Sequence, residues 1–286
     1  MRFPASRRCA FLFVFFLALL GYRPLLAQTL YFAPLPMEQP EEVIKQFKPL
    51  LDYLERRLGT KVEIRYSTSY GEILERFRTG QIDLAYLGPL PYVSLRENYP
   101  QAEPLVHFLE KNGQATYSCA LIGAGAKLTK PLSGKTFALT QPLSTCGFLA
   151  VDGMLRERGE KLENQRFRYL DKHDEVALAV ASGDFDFGGM KTAIAQRYAH
   201  LGVSVLAETA PLPAFALIAN SRRLSAQRIE ELRQALTSLD AKGRDQALLA
   251  TWGAQLRHGA IVASDADYDV VRRLRRQASI PEKGNF

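Results

Sequence analysis

Ser144, Thr145 and Cys146 stand where a predicted strand hands over to a predicted helix, in the run Thr140-Gln-Pro-Leu-Ser144-Thr145-Cys146-Gly147-Phe148. A helix start leaves backbone N–H groups unpaired and carries the positive end of the helix dipole. With the hydroxyl donors of Ser144 and Thr145 added, the turn is suited to holding an anion. Cys146 fits that chemistry less well. A thiol is a poor donor, and at a helix start its pKa should fall towards the thiolate, which repels an anion.

Two other chemistries are open to Cys146. After export the chain would keep one further cysteine, Cys119. Such a pair either forms a disulfide or leaves two thiols near one another. As a nucleophile Cys146 would need a base, and His173 is the candidate, which gives the one enzyme reading of the chain. His107, His200 and His258 are scattered, and no His-x-x-x-His or Cys-x-x-Cys spacing or glycine-rich nucleotide loop occurs. Neither a resident metal, nor a cofactor, nor ATPase activity is therefore expected.

The elements that must position these residues alternate strand and helix. Leu30–Ala33 reads as a short strand, and Pro40 opens a helix with Val43, Ile44, Phe47, Leu50, Leu51 and Leu54 at helical spacing, ending at Gly59. Lys61–Tyr66 alternates as a strand, Tyr70–Arg78 is an amphipathic helix closed by Gly80, and Ile82–Leu87 is a third strand. That strand runs into Gly88-Pro89-Leu-Pro91-Tyr92, a second strand-to-helix turn expected to face the same ligand space. The stretch 115–122 is a strand with Tyr117 and Cys119 on one face. A second α/β unit follows, with a strand at 132–139, the opening turn, a helix from Phe148 to Arg156, a strand at 166–170 ending at Asp171-Lys172-His173-Asp174, and a helix from Glu175 to Ala181. Gly80-Gln-Ile-Asp83 and Gly183-Asp-Phe-Asp186 then match in plan, which points to two similar lobes. The alternation implies parallel sheets with ligands at the carboxyl ends of the strands. Ala214–Ala219 would carry the chain back to the first lobe. The remainder is helix-rich, and its basic run Arg272-Arg-Leu-Arg-Arg276 reads as a solvated helix face.

Composition and address narrow the function classes. The 286 residues are 47% hydrophobic and 23% charged, which is globular composition. Residues 1–27 combine Arg2, Arg7 and Arg8 with an apolar run to Leu20 and end at Ala27, the pattern of a secretory signal peptide. The apolar run is too short for a membrane anchor, so no stable membrane insertion is expected. Removing Arg2, Arg7, Arg8 and Arg23 from the 37 basic residues leaves 33 against 30 acidic ones, a balance that argues against a nucleic-acid binder.

The order of "LGPLPY", "ATYS", "QPLSTCG" and "KHDEVALAVASGDFDFG" resembles the periplasmic substrate-binding proteins of ABC transporters for phosphonate, phosphite and related oxyanions, over most of residues 28–240. The resemblance implies an α/β fold of two lobes, each a mostly parallel sheet flanked by helices, with two crossover strands as hinge. The corresponding division is 1–27 signal peptide, 28–115 first lobe, 116–214 second lobe and 215–286 first lobe again. It implies Tyr70 and Tyr117 as hydroxyl donors, Ser144 and Thr145 as the cradle, and His173 as a further donor. Tyr92 either contacts ligand or packs beneath the Gly88-Pro89 turn. The expected function is capture of a small oxyanion by a monomer that closes on it and meets a permease or a membrane sensor kinase. Where relatives that bind amino-substituted phosphonates use acidic side chains, this chain reads Lys191-Thr-Ala-Ile and Pro213-Ala-Phe215, which speaks against an aminophosphonate. The family usually has Ser-Thr-Ser-Gly at the cradle, so Cys146 is a departure. It keeps open a metalloid sensor, in which a neutral arsenite-type species bonds Cys146 and Cys119.

Overall fold

The computed structural model describes residues 29–125, 128, 132 and 134–286; the expected signal peptide lies outside the described residues. The first lobe begins with β1 (Leu30–Ala33), α1 (Pro40–Leu58), β2 (Val62–Ile64), α2 (Tyr70–Arg78), β3 (Leu84–Leu87), α3 (Pro89–Asn98) and β4 (Ala102–Phe108). The amphipathic pattern has the expected result in α1, where Val43, Phe47, Leu50, Leu51 and Leu54 are buried. Burial of each such side chain stabilises by about 1.5–3 kcal/mol. A two-residue strand, β5 (Thr116–Tyr117), leads through Ser118 into the second lobe. That lobe holds β6 (Cys119–Ala124), β7 (Thr136–Leu139), a helical turn at Thr145–Leu149 running into α4 (Ala150–Arg156), β8 (Arg166–Tyr169), α5 (His173–Ala181), β9 (Phe187–Lys191), α6 (Thr192–Ala195) and β10 (Val203–Glu208). The chain returns through β11 (Leu212–Pro213) to β12 (Ala216–Asn220), α7 (Ala226–Thr237), α8 (Gln246–Leu249), β13 (Ala260–Val262) and α9 (Asp269–Gln277).

Two sheets result, in the orders β13-β4-β12-β3-β1-β2 and β10-β6-β9-β7-β8. They are mixed, not mostly parallel. The β2-β1-β3 and β9-β7-β8 neighbours are parallel, as helical connections require. The β12 and β6 strands enter each sheet from the opposite lobe and pair antiparallel on both sides. Between the sheets β5 and β11 form an antiparallel ribbon, with Leu212 opposite Tyr117 and Pro213 opposite Thr116. The chain makes a third crossing near its end: Asn285 N–H donates to the Phe167 carbonyl at 3.0 Å, and its side-chain oxygen accepts from Phe167 N–H at 2.9 Å.

The matched Gly-x-x-Asp segments do the same work in each lobe. Gly80 and Gly183 take left-handed backbone angles, φ 75° and 83°, where a glycine costs least. Asp83 then accepts a hydrogen bond from Tyr31 N–H in β1 at 2.8 Å, and Asp186 accepts one from Thr136 N–H in β7 at 2.9 Å. Each carboxylate also meets a cation, Arg223 and Lys135 respectively. In both sheets a carboxylate therefore secures the edge of the neighbouring parallel strand.

Candidate functional site

Four helix starts meet at a small closed cavity between the lobes. Tyr70 from α2 and Gly88 and Pro91 from the α3 turn come from one side, and Ser144–Cys146 and His173 at the head of α5 come from the other. Leu35, Tyr117, Lys191 and Phe215 complete the wall. The positive ends of these helices give the cavity a potential suited to an anion without a formal charge for each contact.

The cradle at Ser144 is wider than an ordinary helix start. Leu149 N–H donates to Ser144 O at 3.1 Å, five residues back, and the Ala150 N–H donates to Thr145 O with the same spacing. Such a π-turn adds one residue to the first turn. The Ser144 hydroxyl accepts from Gly147 N–H at 2.9 Å and caps the turn. Gly147 is a matter of space: a Cβ there would lie 1.9 Å from Thr140 Oγ1. On the neighbouring strand, a Cβ at Gly189 would lie 2.7 Å from the Cys146 carbonyl oxygen.

Hydrogen bonds between the lobes hold the cavity shut. Leu90 N–H donates to Thr145 Oγ1 at 2.9 Å, Tyr70 N–H to Gln141 Oε1 at 2.9 Å, and His173 N–H to the Met37 carbonyl at 3.2 Å. Charged pairs flank them, Arg197 with Glu38 and Lys191 with Glu110, each at 2.5 Å. The α3 turn gives the cavity fewer donors than expected from a helix start. Pro89 and Pro91 have no N–H, and that of Leu90 is used by Thr145.

Residues 32–268 match the family described as ABC transporter, phosphonate, periplasmic substrate-binding protein. The chain belongs to this family. The phosphate-import protein PhnD of Mycolicibacterium smegmatis is 26% identical over 272 residues, covering 86% of this chain and 85% of that protein. Among solved structures, PhnD1 from Prochlorococcus marinus in complex with methylphosphonate superimposes with a TM-score of 0.76 at 18% identity, over 88% of this chain and 98% of that one. A binding component of an ABC phosphonate transporter from Pseudomonas aeruginosa gives a TM-score of 0.74 at 18% identity, over 87% and 86%. No helix among the described residues is long and apolar enough to cross a membrane.

The phosphonate-family binding protein brings six of the seven expected site residues to one cavity: Tyr70, Tyr117, Ser144, Thr145, Cys146 and His173. Tyr92 is elsewhere. Its side chain leaves α3 away from the cavity, donates to Asp265 at 2.5 Å and packs its ring 4.2 Å from that of Tyr268. Cys146 lines the cavity but is disulfide-bonded to Cys119, with the two Cα atoms 4.9 Å apart. That bond corrects both thiol readings. A sulfur already bonded to sulfur is neither a thiolate for a metalloid nor a nucleophile for His173 to activate. The bond also removes the expected repulsion of an anion.

The remaining donors are buried and ready. Burial raises the Tyr70 hydroxyl well above the usual tyrosine range, the Ser144 hydroxyl opposing this in part, and burial likewise raises Tyr117. Both therefore stay protonated as donors. Burial pushes His173 down to about 4, so the ring is neutral near pH 7. The Tyr117 hydroxyl and His173 Nδ1 are buried with no hydrogen-bond partner. Unpaired buried polar atoms are costly, and their position beside a cavity marks where a partner belongs. Gln141, which accepts from Tyr70 N–H beside the cavity, was not expected, and Lys191 and Phe215 were named only as positions where relatives that bind amino-substituted phosphonates have acidic side chains. Gln141 lies in the same turn as Ser144, a signal that was present, whereas nothing in the local pattern places Lys191 and Phe215 side by side.

Proposed function

We propose that this binding protein captures a small tetrahedral oxyanion of the phosphonate, phosphite or phosphate type in the cavity between its lobes. The observation that carries the reading is the meeting of four helix starts at a cavity where the Tyr117 hydroxyl and His173 Nδ1 lack partners. In this reading the Tyr70, Tyr117, Ser144 and Thr145 hydroxyls and the His173 ring donate to the oxyanion. Free N–H groups at the π-turn add to them. Donors arriving from several directions suit a tetrahedral anion better than a planar carboxylate.

Residues 28–115 with most of 215–286, and residues 116–214 with the C-terminal residues that pair with Phe167, act as the two moving lobes, and the β5–β11 ribbon and the third crossing serve as hinge. The arrangement described above is the closed form, because hydrogen bonds from three helix starts join the lobes. Ligand binding to the open form shifts the population towards closure. The exported, monomeric protein, its residues 1–27 removed as a signal peptide, then presents the closed form to its ABC permease. The sensor reading that used Cys146 lacks its thiols.

A thermal-shift panel of phosphate, phosphite, methylphosphonate, sulfate and arsenite tests this. A ligand at 100 times its dissociation constant adds about 2.7 kcal/mol of stability. A rise in melting temperature with a phosphorus oxyanion and none with arsenite is expected. No rise with any of the oxyanions would sink the reading.

A further inference from the structure

The cavity between the helix starts measures about 10 Å³, close to the room one water needs. Beside it, also between the lobes, is a chamber of about 250 Å³ lined by Glu38, Glu110, Lys111 and Arg197 among others. Two residues line both spaces, Lys191 and Phe215. The Phe215 ring is stacked on Tyr86 at 5.2 Å, packs 5.3 Å from the Tyr117 ring, and has the Lys191 ammonium 5.5 Å from its centre. Lys191 is in turn held by Glu110. The two side chains form a wall between the small cavity and the larger chamber.

The wall is fixed at its base. Phe215 sits between the hinge ribbon and β12, where its carbonyl accepts from Phe108 N–H at 3.1 Å. Its ring lies where a Cβ on Gly88 would come within 3.1 Å, so the glycine makes room for it.

We propose that Phe215, with Lys191 beside it, is the residue that sets how large a phosphonate substituent this protein accepts. The inference rests on the oxyanion reading of the cavity and deepens it. In this reading the lobes part far enough for the head group to enter the small cavity, and with the wall in place a substituent beyond a methyl meets the Phe215 ring. With the wall open, the substituent enters the chamber. The chamber offers little to an ammonium group, because Glu38 and Glu110 are already paired with Arg197 and Lys191. An uncharged alkyl chain is therefore the direct probe.

Calorimetry with methylphosphonate and propylphosphonate on the intact protein, Phe215→Leu and Phe215→Ala tests the proposal. The readout is the ratio of the two affinities within each protein, so any general weakening cancels. Overpacking costs of about 1–3 kcal/mol place the methyl compound about 5- to 150-fold ahead in the intact protein. The ratio should fall to within about threefold in Phe215→Ala and lie between in Phe215→Leu, which also serves if the alanine variant does not fold. An unchanged ratio in whichever variants fold would overturn the proposal. Binding of neither compound by the intact protein, with no response to phosphate or phosphite, would overturn the oxyanion reading itself and this inference with it.

Discussion

The backbone N–H of Leu90 and the side-chain oxygen of Thr145 lie 2.9 Å apart across the cleft, joining the first turn of α3 to the cradle of the opposite lobe. Pro89 and Pro91 flank Leu90, so this is the one amide that the start of α3 can offer there. Thr145 accepts through its oxygen, and in the proposed binding mode its hydroxyl proton donates to the oxyanion, which would couple closure to the ligand. Thr145→Val should leave the Leu90 N–H buried and unpaired at a cost of about 1–3 kcal/mol to the closed form. The expected result is oxyanion affinity weaker by about tenfold or more and a larger radius by small-angle scattering at equal ligand, with Thr145→Ser close to the intact protein. Equal affinity and radius for Thr145→Val would remove this bond from the closing mechanism.

Much of this was legible because it is local. The strand-to-helix turn at Ser144, the Gly80 and Gly183 stops and the paired Asp83 and Asp186 all follow from residue types at short spacing. What was not legible depends on the third dimension. Separation by 27 residues says nothing about whether Cys119 and Cys146 meet; the β6 strand and the π-turn bring them together. That turn packs closely against Thr140 and Gly189, contacts that no local pattern announces. Tyr92 shares a turn with Gly88 and Pro91, but the helical turn before α9 supplies Asp265 and Tyr268 on the far side of α3 and fixes the ring there. The antiparallel strands arise where the chain changes lobes, a connection that local alternation cannot show.

Gly147 gives a sharp test of the cradle. Its Cβ-free position faces Thr140, whose side-chain oxygen, Cβ and backbone nitrogen would lie 1.9, 2.8 and 2.8 Å from an added methyl. Gly147→Ala should therefore push the π-turn away from β7 and lower stability by about 2–4 kcal/mol. Adding Thr140→Gly removes the side-chain clash but leaves the backbone one, so the double variant should recover only part of the loss. Chemical denaturation of the three proteins measures this. Full recovery in the double variant would show that backbone contact does not shape the cradle.

The disulfide contributes to both stability and site geometry, because it ties the strand that follows Tyr117 to the turn that holds Ser144 and Thr145. Cross-linking residues 27 apart should stabilise by about 3–4 kcal/mol through the unfolded chain. Cys119→Ser with Cys146→Ser should lower the melting temperature by many degrees and weaken oxyanion binding modestly, since the helix starts remain. Reductant should lower the melting temperature of the intact protein and leave that of the double variant unchanged. If reductant and the double substitution both leave the intact melting temperature and affinity unaltered, the bond has neither role.

His173 links the site to pH. Burial, with Lys191 and Arg197 pushing the same way and Glu38 opposing, holds its pKa at about 4 against an ordinary 6.5. Between those pH values the unfolded chain takes up a proton that the folded protein refuses. The contribution of neutral His173 is thus complete above about pH 6.5 and is lost as the pH falls, by up to about 3 kcal/mol near pH 4. His173→Gln removes the titration, so its stability should fall less steeply over that window. An oxyanion beside the ring would favour the imidazolium and raise the pKa. Bound methylphosphonate should therefore flatten the fall in the intact protein, with proton uptake on binding visible in calorimetry as a dependence of heat on buffer. Unfolding curves at pH 4.5, 5.5, 6.5 and 7.5, with and without ligand, measure both effects, and parallel pH profiles for the intact and His173→Gln proteins would show that this histidine neither faces the ligand nor sets the acid limb of stability.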